Sequence, residues 1–182
     1  MVEINDRKLP VGIQSFEEIR KQGCLYVDKT DIIWQLVNRG KKYNYLSRPR
    51  RFGKSVLVDT LESYFLGKKE LFAGLKIMQL ETEWVKRPVI RLDMSRAGAE
   101  PETLRSYLDN AFRQYEKEYS LTPNPTDSLA DRFNAIIVGA YEQTGQQVAI
   151  LIDEYDSPLQ HSWKTPHHEA CTSIYREVFA IL

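Results

Sequence analysis

The sequence predicts an α/β fold built around a mostly parallel sheet. Three observations point there: short apolar runs that end at polar turns, amphipathic helical segments between those runs, and glycines where the helical patterns stop. Strands that alternate with helices in this way pair in parallel through right-handed crossovers. At 182 residues the chain has the size of one domain.

Taken in order, SFEEIRKQG reads as a first helix, with Ser15 as cap, Glu18 completing a capping box and Gly23 past the end. Asp28 or Thr30 caps the second, DIIWQLVNRG, in which Ile33, Leu36 and Val37 share a face before Gly40. Residues 43–47, YNYLS, form a strand candidate. The loop RPRRFG follows, and then a helix carrying Val56, Leu57, Leu61, Tyr64 and Phe65, closed by Gly67.

Residues 87–94, RPVIRLDM, have the consecutive apolar positions of a buried parallel strand. Pro101 opens a long helix in which Leu104, Tyr107, Leu108, Ala111, Phe112, Tyr115 and Tyr119 recur at three- and four-residue steps. After SLTPNPTDS, Asp127 or Ser128 caps a helix that ends at Gly145. QVAILID is the most apolar strand candidate and runs into the acidic turn DEYD; a last helix begins near Pro166.

Composition narrows the functional classes. Hydrophobic residues make up 42% and charged residues 27%, and no apolar run approaches the roughly 20 residues that span a bilayer, so no membrane insertion is expected. The start MVEINDRKLPVG lacks the pattern of a secretory signal. With only Cys24 and Cys171 as thiols, a cytoplasmic location with reduced cysteines is expected. The 25 basic and 25 acidic residues cancel, so bulk charge selects no polyanionic partner. The distribution is uneven, however: residues 32–58 contain no Asp or Glu but hold Arg39, Lys41, Lys42, Arg48, Arg50, Arg51 and Lys54.

That basic stretch contains the elements of a phosphate-binding loop. Such a loop needs a glycine where the chain passes close to phosphate at a helix N-terminus, a lysine for the outer phosphates and a hydroxyl for magnesium. Gly53, Lys54 and Ser55 supply them in order, after a strand candidate and at the start of a helix. Arg48 stands where the general GxxxxGK[ST] pattern has its first glycine. The second half is the apolar strand ending at Asp153 and Glu154, an arrangement in which the Asp holds magnesium and the neighbouring carboxylate orients or deprotonates water.

The candidate nucleotide-binding set is therefore Arg50, Arg51, Phe52, Gly53, Lys54, Ser55 and Val56; the metal set is Ser55 and Asp153; the catalytic pair is Lys54 and Glu154. The expected cofactors are ATP and Mg2+.

The stretches LPVGIQSFEEIRKQGCLYVDKT, RPRRFGKS, RPVIRLDMS and IDEYDSP resemble the bacterial AAA-ATPase-like family, over nearly the whole chain. RPRRFGKS is specific to it, including the non-glycine at Arg48. The resemblance implies a P-loop NTPase domain over 1–182, a three-layer α/β/α sandwich, with the helical segment 1–40 packed on it. It implies nucleotide-binding roles for Gly53, Lys54 and Ser55 in a Walker A element, and metal or water roles for Asp153 and Glu154 in a Walker B element. It further implies a downstream nuclease-like domain of the restriction-endonuclease type, and a further strand between the loop strand and the Asp153 strand. On that reading these 182 residues are the N-terminal portion of a longer protein, with unpaired edges that favour self-association.

Three functions compete. The first is an ATPase module coupled to a downstream domain, the second a nucleotide-gated regulatory module without appreciable turnover, and the third a nucleic-acid-associated module using residues 39–54. Zero net charge weighs against the third. Arg50 and Arg51 read either as phosphate or nucleic-acid contacts or as solvated surface arginines. His167, His168, Glu169 and Cys171 lack zinc spacing and read as helix surface. Asp156 reads as a turn or capping residue, and Phe16 and Tyr26 as core aromatics rather than an adenine platform.

Overall fold

The computed structural model describes residues 8–47 and 52–182. The chain divides into two compact units, Met1–Lys86 and Arg87–Leu182.

The first unit is helical. Helix α1 spans Phe16–Lys21, α2 Thr30–Asn38 and α3 Lys54–Phe65, followed by 3-10 turns at Lys69–Phe72 and Lys76–Gln79. Ser15 caps α1 by accepting from the Glu18 N–H at 3.3 Å, as its position predicts. The cap position of α2 is Lys29, which makes no side-chain cap bond, rather than Asp28 or Thr30; Asp28, just before it, accepts through Oδ1 from the Thr30 N–H at 2.9 Å and through Oδ2 from the Lys76 N–H at 2.8 Å. Thr30, fully buried, accepts from the Ile77 N–H at 3.0 Å, so the start of α2 is bonded to the second 3-10 turn.

Gly67, at φ 69°, closes α3 with the Lys68 N–H donating back to the Ser63 carbonyl at 3.0 Å. The core of this unit is aromatic. The Phe16 ring lies 5.0 Å from Tyr26 and 4.9 Å from Phe72, and Trp84 meets both Tyr64 and Phe72.

The second unit carries the sheet. Strand β1 spans Val89–Asp93 and β2 Ala149–Asp153; they pair in parallel, with Val89 opposite Ala149 and Asp93 opposite Asp153. Helices α4 (Pro101–Glu118), α5 (Leu129–Thr144), α6 (Ser157–Ser162) and α7 (His168–Phe179) complete it. Leu104, Leu108 and Phe112 of α4, Phe133 and Ile136 of α5, and Ile174 and Val178 of α7 share one core with Ile90 and Leu92 of β1. The Phe112 and Phe133 rings stack at 5.0 Å and 8°. Ser128 takes the cap of α5 in a reciprocal box with Asp131, and Gly145 ends that helix at φ 65°.

The edge of β1 away from β2 is closed by side chains. The Arg91 N–H donates to the Tyr115 hydroxyl at 2.7 Å, which donates back to the Arg91 carbonyl at 3.1 Å, and the Asp93 N–H donates to the Tyr107 hydroxyl at 2.8 Å. Among the described residues no strand pairs with β2 on its other side.

One strand expectation is corrected. Residues 43–47 form no strand: Tyr43, Tyr45 and Leu46 are exposed, and without a neighbouring ladder an alternating segment has nothing to pair with. The parallel α/β arrangement is present, but the described sheet has two strands. Short helix α6, opening at Ser157 and Pro158, lies between the acidic turn and the last helix, where the sequence reading places no element. No helix of the described residues is long and apolar enough to cross a membrane, and Cys24 and Cys171 are both free and buried.

Candidate functional site

The phosphate-loop half lies in the first unit. Gly53 is the residue before α3 and adopts φ 72°, ψ 25°, a left-handed conformation that residues with a Cβ rarely take. A Cβ placed there would meet nothing within 4 Å, so backbone conformation rather than crowding calls for glycine. The first helical bond runs from the Leu57 N–H to the Gly53 carbonyl at 3.0 Å. Gly53 offers no side chain to cap the helix and the first turn holds no acid. The N-terminus of a twelve-residue helix, with Lys54 and Ser55 as its first residues, thus presents backbone N–H groups and the positive end of its dipole.

Lys54, Ser55 and Val56 are half-buried, whereas Phe52 is 64% exposed. Arg50 and Arg51 lie outside the described residues.

Just beyond this loop, polar side chains of α3 make one bond to α1 and one within the helix. Asp59 accepts from the Phe16 N–H at 2.6 Å, joining α3 to the start of α1, and the Thr60 hydroxyl donates to the Val56 carbonyl at 2.7 Å. Phe16 is fully buried against Tyr26 and Phe72, which makes these aromatics part of the core.

The carboxylate half lies in the second unit, at the C-terminal end of β2. Asp153 is 6% exposed and its Oδ1 accepts from the Glu154 N–H at 2.9 Å. Glu154 turns the chain at φ 46°, a positive value for a residue that bears a Cβ. The Ser157 N–H donates to the Glu154 carbonyl at 2.9 Å, and the Tyr175 hydroxyl of α7 donates to the Tyr155 carbonyl at 2.7 Å. Asp156 precedes α6 and accepts from the Gln160 side chain without capping the helix.

Sequence reasoning passed over two residues here. Asp93 ends β1 directly opposite Asp153, and the strand pattern RPVIRLDM already contained it. Tyr175 carried no signal, because its role depends on where α7 packs. The histidines and Cys171 gather no metal site: among the described residues no group of three or more metal-capable side chains occurs. Cys171 is fully buried, and burial pushes its thiol above the usual range.

Comparison with known proteins matches residues 10–182 to a family described as predicted AAA-ATPase. Among curated proteins, the chain is 36% identical over 163 residues to an "Uncharacterized protein in vnfD 5'region" of Azotobacter chroococcum mcd 1. That alignment covers 88% of this chain and 31% of the relative, so the chain spans about a third of the relative's length. No solved structure matches it.

Proposed function

The chain belongs to the predicted AAA-ATPase family, and from that premise we propose that it binds ATP with magnesium, through the Gly53–Lys54–Ser55 turn and the Asp153–Glu154 turn. Family membership supports nucleotide binding in general. The observation that carries the finer reading is the left-handed Gly53 opening α3 directly before Lys54 and Ser55.

The residues fit that ligand chemically. Helix N–H groups and the dipole of α3 favour a phosphate, and the Lys54 ammonium, one residue into the helix, adds a cation for the outer phosphates. Ser55 carries a hydroxyl and Asp153 a carboxylate, the kinds of oxygen that Mg2+ takes alongside phosphate oxygens and water. When bound, magnesium would offset phosphate charge. Glu154 is the proposed water-orienting base, and its backbone N–H, bonded to Asp153 Oδ1, orients the neighbouring Asp153 carboxylate. Turnover, and coupling to further domains of a longer protein, are parts of the same proposal.

The test is a thermal-shift titration. ATP with magnesium at about 100 times its dissociation constant adds roughly 2.7 kcal/mol to the folded state, or roughly 5 to 10 °C for a chain of this size. Lys54→Ala should abolish most of the shift while leaving the apo Tm nearly unchanged. An equal shift in the variant would remove the phosphate-loop assignment.

A further inference from the structure

The carboxylate turn contains a conformational cost. A left-handed conformation costs a residue with a Cβ roughly 1 to 2 kcal/mol, and Glu154 adopts one immediately after the last residue of β2. Two bonds within the turn, from the Glu154 N–H to Asp153 and from the Ser157 N–H to the Glu154 carbonyl, stabilise its curvature. Both join residues no more than three apart, so they move with the turn and do not fix its direction relative to the sheet.

The bond from Tyr175 is different in kind. It reaches the Tyr155 carbonyl from 20 residues further along the chain, at 2.7 Å. Tyr175 sits on α7 between Ile174 and Val178, which are buried in the core with Ile90 and Leu92 of β1. Its ring packs on Phe179 at 5.3 Å. Burial first, and the nearby Asp156 charge second, push its hydroxyl well above the usual tyrosine range, so it remains a donor at any physiological pH.

We propose that Tyr175 is a positioning residue: its hydroxyl pins the Tyr155 carbonyl to the core, holds Glu154 in its left-handed conformation, and so sets the direction in which Asp153 and Glu154 present their carboxylates to a magnesium–nucleotide complex. This rests on the reading of those two carboxylates given above.

The variant is Tyr175→Phe, which keeps the ring and removes the donor. Two quantities are measured on the full chain: amide exchange at Glu154 and Ser157, and ATP affinity with magnesium or with a chelator. Exchange at the turn should rise, and the magnesium-dependent part of the affinity should fall, each roughly two- to tenfold, the range for losing one hydrogen bond. Magnesium-free affinity and protection at Phe112 and Ile136 should not change. Phe179→Leu, which alters packing beside Tyr175 but leaves its hydroxyl, serves as the packing control and should keep the magnesium dependence.

If wild-type affinity depends on magnesium and Tyr175→Phe behaves identically, or if only the exchange changes, the positioning role is overturned alone. If wild-type affinity ignores magnesium, the carboxylate assignment falls and Tyr175's role falls with it.

Discussion

Asp93 faces Asp153 across the parallel ladder, each the last residue of its strand. Their surroundings separate them. The Asp93 Oδ1 accepts from both the Ser95 N–H, at 3.1 Å, and the Ser95 hydroxyl, at 2.7 Å, and so holds the start of a 3-10 turn. Asp153 is more deeply buried and is bonded to the backbone of the proposed base. Asp153→Ala should therefore abolish the magnesium-dependent part of ATP binding, whereas Asp93→Asn should change it less than threefold, about 0.6 kcal/mol. Calorimetric titration of ATP into each variant, with and without magnesium, distinguishes them.

Gly53 and Glu154 both occupy left-handed backbone, and only one is a glycine. Gly53→Ala should cost roughly 1 to 2 kcal/mol of stability and weaken ATP binding. Glu154→Gly should do the opposite to stability: relief of strain offsets the added chain entropy of glycine, roughly 0.5 to 1 kcal/mol, for a net gain of up to about 1.5 kcal/mol. Glu154→Gln keeps the strain and should lower any hydrolysis by roughly 10² to 10⁴ without loss of binding. Urea midpoints and phosphate release check each outcome.

Arg132 joins α4 to α5 from a nearly buried position. Its side chain is 11% exposed, and it donates from Nε to Glu116 Oε1 at 2.6 Å and from Nη2 to Oε2 at 2.9 Å, with Asp109 as a further partner. Arg132→Met leaves Glu116, itself 7% exposed, without its counter-ion, and should cost about 3 to 5 kcal/mol. Arg132→Lys should recover little of this, because an ammonium does not reproduce the two parallel bonds. Denaturant unfolding at constant m-value is the measurement.

Acid should weaken the fold through carboxylates held below their usual range. Hydrogen bonds and charge from Lys21 and Lys68 hold Glu17 at about 2, against an ordinary value of 4.5. Arg132 holds Asp109 down, against the opposing push of burial. For Asp28, burial pushes up, but N–H bonds from Thr30 and Lys76 outweigh it. A depressed folded value means that the stabilisation is fully present above the unfolded value and is lost as pH falls through the folded one. The stability difference between the wild type and Glu17→Gln should thus be constant from pH 7 to about 5, shrink below 4.5 and vanish near 2, as read from urea midpoints across that range.

Much of the helical framework was legible because its signals are local. Ser15, Ser128 and Gly145 act within one turn of the elements they delimit, and the α4 pattern from Leu104 to Phe112 records a single buried face. The strand read at 43–47 shows the limit, since a strand exists only with a partner and the partner is not encoded in the segment. Residue types nominated Gly53, Lys54, Ser55, Asp153 and Glu154 as candidates, whereas the positive φ of Glu154 and the bond from Tyr175 depend on packing between distant parts of the chain. The Arg132 network was invisible for the same reason: it joins residues 16 and 23 positions apart.

The tyrosine hydroxyls along β1 also limit how this sheet can grow. Arg91 and Asp93 have already bonded their outward-facing N–H groups to Tyr115 and Tyr107, so β1 offers an incoming chain a blocked terminus, while β2, which no strand among the described residues pairs on its other side, is the edge where a strand could add. A template with one blocked end does not propagate. Association of two copies through β2 would bury both open edges at once and stop there, giving a closed two-fold pair in place of a fibre.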